Sequence, residues 1–482
     1  MSSDADPDGL SDLLPQGERL SMSAPPKNPE TLSAIVEHFS ERPTVFALGV
    51  DMQTGGYHRP PMTSGSYAWA LSGKAVRAGG GKEPRAGVDP DNLAQAGWGV
   101  IIADEAAREP LKPLLDLRRQ QAGARYTEYA FEPGQSAQSF LSRQNTPPGP
   151  ADPEHGAPYY LTVVGDPNQL SFEFQQQLDI RHAVGRICFE QADDYARYAA
   201  AVVASEGRET IRSRSAVLLG VEHENDPATK LCNKRLVEPL AQTVMQQPGW
   251  RAQIVTGPAA SHQTLTELLQ SPEKPALILT SGHGLVLPGD HEMQRRLQGA
   301  LLTAEWPGPG TEKVNPQQLF SADDLSGSTD VAGLIAVLFG CFTAGTPRYD
   351  AFAEGQRNEL ASQPFVADFP KRLLARGALA AIGHVDSLYI HSFAWPGIAA
   401  GPQHQTFERL FFDLMRGRRL GHAMDVMGRR YAQLAALLLA ARLDPGQVSE
   451  REYASYWIGY HDARQYIVLG DPAVRLSVSA TA

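Results

Sequence analysis

Eight short apolar runs, separated by helix-length amphipathic segments, constrain this chain more than anything else in it. They are Val45–Val50, Trp98–Ala103, Tyr159–Val164, Ala216–Val221, Ala276–Thr280, Leu334–Phe339, Ala378–Ile382 and Tyr466–Leu469. Several are apolar almost throughout, as strands buried on both faces of a parallel sheet must be. Helical segments lie between them, over Glu105–Gln121, Asp193–Ser205, Leu236–Gln246, Thr264–Leu269, Asp368–Arg376 and Thr406–Ala441, the last broken at Gly417 and Gly421 into two or more helices. Strands alternating with helices predict an α/β fold, a mainly parallel sheet with helices on both faces. Three stretches dense in Gly, Pro, Ser or Asp read as loops: Ala78–Asn92, Pro133–Pro158 and Trp306–Asp330. The expected division is a disordered segment over 1–40, a smaller α/β subdomain over 41–157 and a main domain over 158–482.

At 482 residues the chain suits one large domain with appendages. Its formal net charge of -11 argues against a nucleic-acid partner or an anionic membrane surface, since both need a basic face. Three cysteines, Cys188, Cys232 and Cys341, form no C-x-x-C pair and no disulfide framework, which points to a reducing compartment. The first 29 residues are acidic and rich in Pro and Ser, unlike a signal peptide, and the apolar stretch at Leu434–Ala441 is too short to span a membrane. A cytoplasmic protein is expected, with no cofactor and no metal.

Apolar runs end repeatedly in a polar residue: Asp104, Asp166, Glu222, His283, Cys341, Asp386 and Asp471. Ligands of open parallel sheets bind beyond the carboxyl ends of the strands. For the acids, leaving the core is reason enough to be polar. A histidine and a cysteine at two such ends say more. In Pro275-Ala-Leu-Ile-Leu-Thr-Ser-Gly-His-Gly284 a buried run stops at His283 between two glycines, which permit unusual backbone angles and close approach of a ligand. Histidine titrates near neutrality and suits a general base. In Leu334-Ile-Ala-Val-Leu-Phe-Gly-Cys-Phe-Thr-Ala-Gly345 another run stops at Cys341, where a histidine neighbour would raise the thiolate fraction. Alone, a cysteine after a strand is usually a small core residue. As a pair, in the order His then Cys with room for a crossover between them, the two motifs predict adjacent parallel strands and a catalytic dyad.

The pair resembles the caspase-like superfamily of cysteine peptidases, in which a strand followed by His-Gly supplies the base and a later strand ending in Cys supplies the nucleophile. The gingipain and bacterial CHAT branches are similar further along the chain. Tyr159-Tyr-Leu-Thr-Val-Val-Gly-Asp-Pro167, Leu178-Asp-Ile-Arg-His-Ala-Val-Gly-Arg-Ile187 and Tyr466-Ile-Val-Leu-Gly-Asp-Pro-Ala473 look like gingipain segments. Gly340 departs from the Ala or Ser that many relatives carry before the nucleophile. The resemblance implies a caspase-like catalytic domain over 158–482 and a cysteine endopeptidase acting on protein or peptide substrates. Cys341 would attack the carbonyl, His283 would move the proton, and the backbone N–H groups of Gly284 and Cys341 would hold the oxyanion. Asp179 matches a gingipain segment carrying an acidic substrate-binding residue, which implies cleavage after Arg or Lys; the other reading of Asp179 is an Asp that caps a turn. Asp166 and Asp386, with Asp350 nearby, complete an expected acidic cleft. Bacterial relatives often work through an activating protein partner, in defence or signalling. A catalytically silent caspase-like scaffold is the alternative, and a peptide ligase on the same dyad is a third reading.

No third member of a triad is evident. His384, in Ala380-Ala-Ile-Gly-His-Val-Asp386, also ends an apolar run and competes with His283 as the base. His223 lies among Glu222, Glu224 and Asp226, but consecutive residues seldom converge on one ion, and a solvated loop is expected there. Phe339 rules out a G-x-C-x-G elbow at Cys341. Gly79-Gly-Gly-Lys-Glu83 lacks the first glycine and the Ser/Thr of a phosphate loop.

Overall fold

A computed structural model describes residues 47–59, 83–271, 273–311, 313–325, 329–352, 358–393, 403–444, 446 and 448–480. The segment expected to be disordered, 1–40, lies outside the described residues.

Sixteen strands are described. In chain order they are β1 (Gly49–Asp51), β2 (Trp98–Ile102), β3 (Tyr126–Ala130), β4 (Tyr160–Val164), β5 (Ala183–Ile187), β6 (Ser213–Gly220), β7 (Arg251–Thr256), β8 (Pro275–Ser281), β9 (Gly284–Val286), β10 (Leu301–Leu302), β11 (Leu319–Phe320), β12 (Ile335–Phe339), β13 (Gly345–Thr346), β14 (Phe365–Val366), β15 (Ala380–His384) and β16 (Tyr466–Gly470). Ten of them form one sheet in the order β3-β2-β4-β5-β16-β15-β12-β8-β6-β7. Strands β3, β2, β4 and β5 are mutually parallel, as are β15, β12, β8, β6 and β7. The closing strand β16 runs antiparallel to β15 and meets β5 at Val468 and Leu469.

Burial explains why these runs became strands. Along β2 and β4, Val100, Ile102, Tyr160 and Val164 face one apolar cluster, while Ile101, Leu161 and Val163 face another. Both faces of the sheet are covered, the condition under which a strand loses its polar alternate positions. The helices Lys112–Ala122, Ala192–Glu206, Glu238–Met245, Asp368–Ala375, Gln405–Met415 and Asp425–Leu443 flank it. Within 41–157, the segment expected to be a smaller α/β subdomain, β2 and β3 join the large sheet through the β2–β4 pairing.

Three strands of the sheet escape a hydrophobicity reading. The edge strands β3 and β7 are polar and half-exposed. β5 carries Arg186, fully buried and neutralised in hydrogen-bonding terms by Gln175 Oε1 (2.9 Å), the carbonyl of Gly165 (2.8 Å) and those of Leu170 and Ser171. The run beginning at Val45 behaves differently from the others. Its described part enters β1, which belongs to a second sheet, β1-β9-β10-β11, lying over the carboxyl end of β8. β13 and β14 form a small antiparallel pair. Among the described residues no helix is long and apolar enough to cross a membrane.

Candidate active site

Strands β8 and β12 are neighbours and parallel, with Ser281 opposite Phe339. The N–H of Gly282 donates to the carbonyl of Phe339 (3.1 Å), which ties the two strand ends together. His283 and Cys341 each lie two residues beyond that last pair, so they leave the sheet side by side. The glycine after His283 is required by packing. A methyl group at Gly284 would stand 1.8 Å from the carbonyl oxygen of Cys341. Beyond Cys341 the chain turns sharply at Phe342, a buried non-glycine residue with φ of 59°. The cost of that backbone is met by the Phe342 N–H, which donates to the carbonyl of Asp386 (3.1 Å). As a result the N–H groups of Gly284 and Cys341 point at one spot. Both donate to a single oxygen, the carbonyl of Leu48, at 2.7 and 3.2 Å.

His283 is held by a residue that no strand end announces. Its Nε2 lies 2.7 Å from Oδ2 of Asp226, with both side chains fully buried. Asp226 is the N-cap of the helix Pro227–Cys232 and accepts from the N–H of Ala228 (3.1 Å), the hydroxyl of Thr229 (2.8 Å) and the hydroxyl of Tyr57 (2.6 Å). Burial alone would push its carboxyl up, but His283, Tyr57 and Thr229 together hold it well below the usual carboxylate range. The imidazole is enclosed edge-on by Tyr57 and Trp306, with ring centroids at 5.4 and 5.9 Å. Among the described residues, Nδ1 of His283 has no hydrogen-bond partner. A carboxylate accepting from Nε2–H leaves Nδ1 as the basic nitrogen.

The expected solvated loop at Val221–Asp226 is therefore corrected. His223 is buried against Trp306, at 4.7 Å between ring centroids, and Asp226 is fully buried. The sequence does carry a signal for it. Asp226-Pro227 is an acidic cap followed by proline at the first helical position, a helix-start signature that marks a fixed carboxylate rather than a free one.

Cys341 is fully buried. Its Sγ accepts from the N–H of Leu388 (3.0 Å) and faces that residue's carbonyl at 3.7 Å. No hydrogen bond joins it to His283. Burial pushes the thiol well up, against the pull of the Leu388 N–H and Arg59. The loop after β15 that carries Leu388 is fixed by Asp386, which accepts from Ser387 N (2.6 Å), and by Asp462, which accepts from Tyr389 N (2.9 Å).

Of the expected acids, Asp386 lies near Cys341, its carbonyl accepting from the Phe342 N–H, and Asp350 neighbours Asp386, whose carboxylate accepts from the Ala351 N–H (3.2 Å). Arg59 pairs with Asp350 and donates from Nε to the Ser387 hydroxyl (2.9 Å), with its guanidinium over the ring of Phe352. Burial and the neighbouring Asp350 raise the Asp386 carboxyl to about 7, with Arg59 opposing. Asp166 and Asp179 lie elsewhere. Asp166 accepts from the N–H of Asn168 (2.9 Å) beyond β4, a strand about 19 Å from β12 across four inter-strand spacings. Asp179 accepts from Val184 N (3.0 Å) and lines a pocket with Gln176, Met427 and Tyr431. His384 is buried with Nδ1 against the carbonyl of Asp386 (2.9 Å) and Nε2 against that of Asp462 (3.1 Å), which turns its ring into a clamp between two loops. Among the described residues only Asp152, Glu154 and His155 group closely enough to hold a metal ion, and Arg85 already bonds both carboxylates.

A cysteine and a carboxylate-bound histidine at adjacent strand ends, with two convergent N–H donors, are residue types that acyl transfer can use. The family model of peptidase family C25 matches residues 95–477. No curated protein matches the chain by sequence. Among solved structures, one described as a protease is 15% identical, with 79% of this chain and 78% of that chain covered at a TM-score of 0.49. The complex of the pro- and mature domains of Porphyromonas gingivalis RgpB is 11% identical, covering 79% and 80% at a TM-score of 0.46. The Saccharomyces cerevisiae separase–securin complex is 10% identical, covering 67% of this chain and 16% of that one at a TM-score of 0.33. The match over most of its length means that this chain belongs to peptidase family C25, the gingipain family of caspase-like cysteine peptidases.

Proposed function

We propose that the chain is an endopeptidase in which Cys341 attacks the scissile carbonyl and His283 relays the proton. The observation that carries this reading is the convergence of the Gly284 and Cys341 N–H groups on one oxygen, beside Cys341. A carbonyl held there is polarised, and the negative charge that develops on its oxygen meets two fixed donors. Nδ1 of His283 takes the thiol proton, the thiolate adds to the carbonyl, and the same proton passes to the departing amine as the C–N bond breaks. Water then hydrolyses the thioester by the reverse relay. Asp226 touches no reacting atom in this scheme. It is a positioning residue that fixes the His283 tautomer and favours the imidazolium.

Cleavage after Arg or Lys is the specificity that fits best. Support comes from Asp350, whose carboxylate already accommodates a guanidinium, that of Arg59, next to the buried Asp386. Asp179 remains the second candidate for that role. A cytoplasmic protein released by an activating partner, within bacterial defence or signalling, completes the proposal. The test is a peptide library scored for the residue before the cut, run with wild type and Cys341→Ala. Cleavage after basic residues that vanishes in the variant is expected, and a profile led by acidic or aliphatic residues would remove the specificity reading.

A further inference from the structure

A cavity of about 510 Å³ opens at the amino ends of β6 and β7, away from the strand ends that carry His283 and Cys341. Its floor is apolar, with Trp250, Met415 and Leu476 all buried. Three arginines, Arg208, Arg214 and Arg416, line it, and no acidic residue does. Each comes from a different element. Arg208 follows the helix Ala192–Glu206, Arg214 lies near the start of β6, and Arg416 caps the carboxyl end of the helix Gln405–Met415. Arg214 stands six residues before Gly220, which pairs with Ser281 at the end of β8. At about 3.3 Å per residue, the cavity is about 20 Å from the candidate active site.

Local structure accounts for one of these cations. Arg416 meets the negative end of a helix dipole and lies over the ring of Phe412 at 5.2 Å. The other two hold positions with a cost or an irregularity of their own. Arg208 has a φ of 61°, a left-handed backbone that glycine adopts freely, although Gly207 stands beside it. Arg214 sits where the pairing of β6 with β8 slips between Ser213 and Ala216, an irregularity of the kind that re-aims a side chain. Arg208 donates to the carbonyl of Val478 (3.2 Å), and Arg214 donates from Nε to that of Ser479 (2.8 Å). Among the described residues none of the three forms an ion pair, in a chain whose formal net charge is -11. Cations gathered without a counter-ion repel one another, and an anion between them removes that repulsion. The planar fork of arginine matches the oxygens of carboxylates and phosphates. A cavity of this volume, with an apolar floor and a few convergent polar groups, suits a small molecule. We propose that this cavity is a second ligand site, which binds a small organic anion carrying at least two phosphate or carboxylate groups on an apolar body. The anionic groups meet Arg208, Arg214 and Arg416, and the body covers Trp250 and Met415. Bound there, the ligand ties two helix ends to β6 and stabilises the fold. The inference is independent of the peptidase reading.

The test titrates the full chain by calorimetry with adenosine triphosphate, pyrophosphate and citrate, as wild type and as the double variant Arg208→Gly, Arg214→Gln. Glycine at 208 removes the cation and relaxes the backbone, so the substitution spares the fold. Wild type should bind at least one of the three with a Kd below about 1 mM, and the double variant should bind it at least about tenfold more weakly. Binding of the two phosphate compounds alone assigns the site to phosphate esters, and binding of citrate alone assigns it to polycarboxylates. No binding below about 1 mM, or a smaller loss in a folded double variant, would overturn the proposal. Should the double variant fail to fold, arginine modification of the wild type by phenylglyoxal decides, read by mass at each site. The probe that binds should slow modification of Arg208 and Arg214 and leave the exposed Arg235 unchanged. Equal modification of Arg208 and Arg214 with and without the probe refutes the site.

Discussion

Replacing Asp226 by Asn keeps the volume and removes the charge. Its four hydrogen bonds divide by oxygen: Oδ2 faces His283 and Thr229, and Oδ1 faces Tyr57 and the N–H of Ala228. An amide nitrogen in the Oδ2 position donates to Nε2 of His283 and forces the proton onto Nδ1, the nitrogen that must accept from the thiol. An amide nitrogen in the Oδ1 position leaves the helix cap without an acceptor. The first arrangement spares the cap, which is worth about 1 kcal/mol. In a serine-based triad the wrong tautomer lowers kcat by about 10⁴. A thiol is intrinsically more nucleophilic and depends less on its base, so a loss of about 10² to 10⁴, or about 3 to 5 kcal/mol of transition-state stabilisation, is expected. The assay is kcat and KM for a peptide substrate, measured beside wild type, with thermal unfolding as the control. KM should move little because Asp226 touches no substrate. A folded Asp226→Asn with kcat within threefold of wild type would refute the reasoning.

Gly284→Ala places a methyl against the Cys341 carbonyl and should cost about 2 kcal/mol or more by overpacking, with loss of activity, read as a lowered Tm and absent turnover. Asp386 titrates higher in the fold than in the unfolded chain, so between about pH 4 and pH 7 the native state holds the extra proton. Stability contributed by this group therefore falls as pH rises through that window. Asp386→Asn should flatten the decline in a Tm series, and an unchanged slope would contradict it. Asp179→Asn should lower turnover of Arg and Lys substrates more than that of short apolar ones if it faces the substrate, and leave the ratio unaltered if it serves only the Val184 N–H.

The adjacency of the strand ends carrying His283 and Cys341 was legible because both residues interrupt apolar runs, and a polar group at a strand end is visible in the sequence. Asp226 was hidden because it caps a helix, where an acid is common for local reasons. Its partner lies 57 residues away, and only the pairing of β6 with β8 brings the two together. Arg186 hid β5 for the opposite reason. A buried guanidinium satisfied by carbonyls looks, in sequence, like an exposed one. The Val45–Val50 run was recognisable as extended, but apolar pattern cannot say which sheet a strand joins. That choice is made by the free edge of β9, and it places the run over Cys341 instead of in the large sheet.

The central claim is that Cys341 is the nucleophile, and a trapped acyl-enzyme tests it most directly. Peptide substrate is mixed with enzyme, quenched in acid at early times and digested, and the Cys341 fragment is weighed. The account predicts the acyl mass on Cys341, its disappearance as product accumulates, and neither adduct nor cleavage in Cys341→Ala. Cleavage by that variant at more than about one per cent of the wild-type rate would contradict it.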